Sequence, residues 1–222
     1  MTISRNTKFA VGAILGVTAL AVAAGLLFRG EYATTQRATL SFKIDDNFTG
    51  VRKVLVRTDA AKQIVTMGGG SEFISQDWRT VGGDVGSSLR QLIDDPNWRL
   101  ELHGTLKVLT KDDYIGEHEI ALDQHVVITP DSLVSEVRLK EPTARLKKYD
   151  MTTKFMRDPQ TDNTNVDLAL TQEILTDAPW FAHGIANRRV LASVERTLAN
   201  QETAIRKVIA DNIADVPLLP LR

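Results

Sequence analysis

Cysteine is absent from the 222 residues, which removes disulfides, thiolate nucleophiles and Cys-ligated zinc from consideration. A basic stripe is absent too. The first 30 residues carry Arg5, Lys8 and Arg29 and no acid, so the rest holds 24 basic and 28 acidic residues, a net charge of −4. Phosphate neutralisation needs clustered Lys and Arg, and nucleic acid is therefore excluded as a partner. Gly68-Gly69-Gly70 lacks a following Lys-Ser/Thr pair, so it is no phosphate loop and reads as a helix end and turn. No nucleophile elbow singles out one serine, and no Ser-His-Asp set can be assigned.

One long stretch lacks charge altogether. Phe9 to Phe28 reads FAVGAILGVTALAVAAGLLF, 20 residues between Lys8 and Arg29. At about 1.5 Å rise per residue it is as long as the hydrocarbon core is thick. Residues 1–8 are then a short tail, 9–28 a single-pass transmembrane anchor that makes the lipid bilayer a partner, and 29–38 a polar juxtamembrane linker. A signal peptide cut after Ala23 is the rival reading, but Leu26, Leu27 and Phe28 continue the apolar run past that point. Positive charge is nearly balanced across the segment, and a short basic N-tail places the following domain on the extracytoplasmic side of the cell membrane.

The remaining chain has ordinary hydrophobic content, 43% overall, enough for one normal core and one domain, expected over 39–215. Leu40, Phe42 and Ile44 alternate with Ser41 and Lys43 as a strand over 39–45. Asp45-Asp46-Asn47 then offer a cap for a helix with Phe48, Val51 and Val54 on one face, and Thr58-Asp59 restart a second short helix. Extended segments follow at 72–80, at 98–108 with a bulge at Gly104, and at 115–121, 125–129, 132–140, 145–157 and 165–175, separated by Pro- and Asp-bearing turns. Residues 82–97 are irregular. After Asp177-Ala178-Pro179, Ile185, Leu191, Val194, Leu198, Ile205, Val208 and Ile209 recur at helical spacing, a helix of some 30 residues closed near Pro217. Residues 216–222 are a tail.

This order is α+β: a strand, two short helices in Phe48 to Met67, a meander of antiparallel strands, and one long helix in Ala178 to Ile213. It resembles the START-like (SRPBCC) helix-grip superfamily of polyketide cyclases and lipid-transfer domains. The resemblance covers about residues 38–213 and rests on topology, not on a motif. It implies a curved sheet wrapped around the C-terminal helix, with an apolar cavity between them, and it carries over no catalytic residue.

Candidate ligand-cavity residues are the bulky strand positions Trp98, Tyr149 and Phe155 and, at the start of the long helix, Trp180, Phe181 and His183, the last as a polar handle. Each also reads as ordinary packing. His118 and His125, with Glu117, Glu119 and Asp123, suggest a metal site, but an odd spacing puts the two rings on opposite faces of one strand. No metal or cofactor is assigned. A tethered domain that binds a lipid or isoprenoid is the leading expectation, against a ligand-free scaffold and a cyclase- or hydrolase-like enzyme.

Overall fold

The computed structural model describes residues 30–56, 60–68, 71–80, 98–112 and 116–215. The expected anchor at 9–28, the irregular stretch at 82–97 and the tail at 216–222 lie outside the described residues. Among those that are described, no helix is long and apolar enough to cross a membrane.

Strand β1 runs Gly30–Asn47 and leads into helix α1 (Phe48–Val56), α2 (Ala60–Met67) and β2 (Ser71–Thr80). Then come β3 (Leu100–Asp112), β4 (Gly116–Ile128), β5 (Ser132–Leu139), β6 (Leu146–Arg157), β7 (Asn163–Ala178) and helix α3 (His183–Asn212). The seven strands form one antiparallel sheet in the order β1-β7-β6-β5-β4-β3-β2. Consecutive strands from β2 to β7 are neighbours, as a meander of hairpins requires.

Two expectations about strands are corrected. Residues 30–38, read as a linker, belong to β1 and pair with β7 from Gly30↔Ala178 onward. Their inward positions, Tyr32, Thr34 and Gln36, are not aliphatic, so the alternation that marks Leu40 to Ile44 fades although the backbone ladder continues. Segments 115–121 and 125–129 are likewise one strand, β4, whose pairing with β3 continues through Asp123↔Thr105 and Gln124↔Gly104.

No bulge occurs at Gly104. It lies opposite Trp78 of β2, and a Cβ there would come within 2.7 Å of both the Asp77 carbonyl oxygen and the Trp78 ring. The missing side chain makes room for an indole. The shift in the β2–β3 register falls instead between Phe73 and Ser75.

Asn47 ends β1 and caps α1, its Oδ1 accepting the Gly50 N–H at 2.8 Å. The helix then buries Phe48, Val51 and Val54. α3 is preceded by a 3-10 turn over Trp180–Ala182 and buries Val190, Val194, Leu198, Ile205, Val208 and Ile209 on the same side of the sheet. Ile185, expected on that apolar face, is 48% exposed, because the start of α3 turns His183 and Asn187 toward Tyr32 of β1 and Ile185 lies on the other side of the helix. The main core joins α1, the last turns of α3 and the inward faces of β4 to β7, including Phe155, Val166, Leu168 and Leu170.

Candidate functional site: a closed-sided apolar cavity

Inward-facing strand positions and the three helices do not fill the space between them. A cavity of about 510 Å³ remains, walled by Leu102, Leu106 and Val108 of β3, the even positions of β4 from Ile120 to Ile128, and inward residues of β5 and β6. Leu55 and Ile64 close it from α1 and α2, and Thr197, Gln201 and Ile205 from α3. Val56 and Trp78 line it while staying 49% and 38% exposed, which marks the mouth between the end of α1 and β2. The size falls in the range of small-molecule pockets, about 300–1,000 Å³.

None of the described lining residues is Asp, Glu, Lys, Arg or His. Polarity comes from a few neutral groups. Gln76 Nε2 donates to Gln124 Oε1 at 2.8 Å, and Gln124 Nε2 reaches Ser135 Oγ at 3.4 Å, tying β2, β4 and β5 together across the wall. Tyr149 and Gln172 are cross-strand partners on β6 and β7 and face the cavity together. Among the described residues, the Tyr149 hydroxyl donates only to the thioether of Met151, at 3.4 Å, a weak acceptor. Gln172 is 4% exposed, and among the described residues its Oε1 has no hydrogen-bond partner. Enclosure by apolar neighbours pushes the Tyr149 hydroxyl up to about 12, since burial disfavours the phenolate.

Of the six sequence-derived candidates, Tyr149 and Phe155 line this cavity. Trp98 does not. It packs against the main core and lies under the Arg52 guanidinium, 5.0 Å from the ring centre, while Arg52 donates to the Thr129 and Pro130 carbonyls. Burial lowers the Arg52 pKa, and the nearby Arg157 charge lowers it further. Trp180 and Phe181 meet edge to face at 5.9 Å but remain 74% and 52% exposed, neither lining the cavity nor stapling the helix to the sheet. His183 stacks on Tyr32 at 3.6 Å, outside the cavity. The residues missed are Gln76, Gln124 and Gln172; strand parity places Gln124 and Gln172 on the inward face, whereas Gln76 follows the register shift in β2, and glutamine, neither bulky nor titratable, gives no signal of its own.

The opposite face of the sheet carries the polar cluster nearest to a metal set. Glu101, His103 and His125 bring one ligating atom each within 4.8 Å of one another. Thus His125 is joined by His103, its partner across β3 and β4, and not by His118. Its Nε2 lies 2.6 Å from Glu101 Oε1, and the two rings stack at 4.3 Å with planes 21° apart. Zinc with ligands at about 2.0–2.1 Å keeps neighbouring ligand atoms roughly 3.3 Å apart, with ring lone pairs converging on one point. Here the His125 and His103 Nε2 atoms lie 2.6 and 3.5 Å from the same Glu101 oxygen, so this arrangement is a hydrogen-bonded cluster. The His125 contact is the main cause that holds the Glu101 carboxyl below its usual range, with the Arg99 and His103 contacts adding to it.

A seven-stranded antiparallel sheet, two short helices after its first strand, a long C-terminal helix and a cavity between them decide the architecture. The chain has the START-like helix-grip fold. A scan of family models and a search of curated proteins both return no match. Solved structures do match. A protein of unknown function from Staphylococcus aureus aligns with a TM-score of 0.54 at 7% identity, over 82% of this chain and 98% of that one. An aromatase/cyclase from Streptomyces sp. R1128 gives 0.45 at 12% identity, covering 81% and 96%. A START superfamily protein from Mycobacterium smegmatis gives 0.44 at 11%, covering 79% and 97%. At 7% identity the match with a TM-score of 0.54 shows a shared fold alone and leaves function to the site.

Proposed function

We propose that this helix-grip domain binds an apolar small molecule, a lipid or isoprenoid, in the cavity between sheet and helices, and works next to a membrane. The observation that carries the first part is a 510 Å³ space whose described lining holds no charged side chain. An uncharged enclosure favours apolar surface and penalises an ion, which would lose its hydration without a partner. A ligand-free scaffold would fill such space, because a void forfeits packing energy. For the enzyme reading, the only titratable side chain on the described wall is Tyr149, held neutral and thus a hydrogen-bond donor, not a base.

The membrane part rests on residues 9–28 as a single-pass anchor with the domain extracytoplasmic. Two features of the fold support it. β1 begins at Gly30, one residue past Arg29, and that end of the sheet pairs with Ala178, two residues before the exposed Trp180. Aromatic side chains are favoured at the boundary between lipid and water, so Trp180 and Phe181 suit a domain resting against the headgroups.

Native mass spectrometry of the full chain released from micelles tests the cavity. The expected result is an added mass, of one apolar molecule per chain, that disappears when Leu106→Trp blocks the space. A spectrum of bare protein, unchanged after incubation with sterols, isoprenoid alcohols and alkyl lipids, would sink the reading.

A further inference from the structure

We infer that the cavity selects a ligand ending in one neutral hydroxyl, which donates to Gln172 Oε1 and accepts from the Tyr149 hydroxyl. The inference rests on the cavity-binding reading and narrows it to alcohols. Gln172 offers a buried acceptor with nothing to accept, and beside it Tyr149 offers a donor spent on a sulfur. Both stand on the inward face of neighbouring strands, directly paired across β6 and β7. Paired side chains of an antiparallel ladder sit about 5 Å apart at Cβ, close enough for one small group to reach both.

The bonding capacities single out the ligand group. A hydroxyl gives one proton and holds two lone pairs, so it satisfies the orphan carbonyl and the phenol at once. An ether or an ester carbonyl accepts from Tyr149 but leaves Gln172 Oε1 unpaired. A carboxylate, ionised at neutral pH, gives Gln172 no proton and meets no cation on the described wall. Leaving a buried polar group unpaired is what makes such sites discriminate. Thr34 Oγ1 is also buried and without a partner, but it does not line the cavity and has no bearing on the ligand.

The test is calorimetric titration of the full chain, held in amphipol, with three probes of equal chain length: dodecanol, its methyl ether and dodecanoate. The expected result at pH 7 is dodecanol bound about tenfold tighter than either of the others, the worth of one well-made hydrogen bond. Gln172→Leu should bring dodecanol down to the level of the ether while leaving the ether unchanged, and should raise the melting temperature of the ligand-free protein. Should that variant not fold, Tyr149→Phe tests the donor side: it should weaken dodecanol and the ether alike and leave the preference between them intact, and a variant that binds both as tightly as the parent overturns the inference. Equal affinity for dodecanol and the ether, or tighter binding of dodecanoate, overturns the inference while leaving a cavity that binds apolar chains. Failure of all three probes to bind overturns the cavity reading itself, and this inference with it.

Discussion

Tyr149 is held protonated by its surroundings, which makes its ionisation a probe of how dry the cavity is. A phenol in the unfolded chain titrates near 10, whereas burial raises Tyr149 to about 12. The folded state therefore keeps its proton where the unfolded state has lost it. Stability from this group is fully present below pH 10 and is lost as the pH rises toward 12, by roughly 2–3 kcal/mol in all. Phenolate absorbance should show a final step near pH 12 that Tyr149→Phe removes, and between pH 8 and pH 11 that variant should lose less stability in urea than the parent. A single tyrosine step near pH 10 with the fold intact would show a wet site. The candidates Tyr149 and Phe155 could be read from strand parity because they are bulky. Gln172 sits in the same series, between Leu170 and Ile174, yet nothing in its type announces that its oxygen ends up unpaired. That follows from what faces it across the sheet, Tyr149 with its hydroxyl turned to Met151, which no local pattern encodes.

At the level of elements, β3 illustrates what periodicity conveys and what it hides. Leu100, Leu102, Leu106 and Val108 alternate strictly, so the strand and its inward face were legible. A lone glycine in such a series signals either a bulge or a close approach, and only the partner strand distinguishes them. Here the partner is Trp78, at the cavity mouth. Gly104→Ala would drive a methyl to 2.7 Å from the Asp77 carbonyl oxygen and the Trp78 ring, and backbone does not yield as a flexible side chain does. A cost of about 1–3 kcal/mol is expected, with Trp78 displaced. Chemical denaturation measures the first, and a shift of tryptophan emission absent from the Trp78→Phe, Gly104→Ala double variant identifies the second. Unchanged stability and emission would mean that β2 sits farther from β3. The 30–38 segment shows the complementary case: backbone pairing to β7 makes it a strand, while its polar inward residues gave the sequence no alternating signal.

For the whole molecule, turning the expected linker into strand changes how the domain would meet a bilayer. With nine flexible residues the domain could drift roughly 30 Å from its anchor. With pairing from Gly30 onward, only Arg29 separates Phe28 from a rigid sheet edge. An anchor at 9–28 then holds the Gly30–Ala178 end of the sheet at the headgroups and brings the nearby Trp180 and Phe181, exposed to water in the isolated domain, into the lipid interface. Fluorescence of the full chain in vesicles made with bromine-labelled acyl chains tests this. The part of the emission that Trp180→Phe removes should be strongly quenched, while the Trp78 and Trp98 emission should be quenched little, because those residues belong to the cavity mouth and the core. Equal quenching of all three would count against a fixed orientation. A chain that alkaline washing strips from the vesicles would count against the anchor itself, because a spanning segment of 20 apolar residues resists extraction that releases a domain held only by its surface.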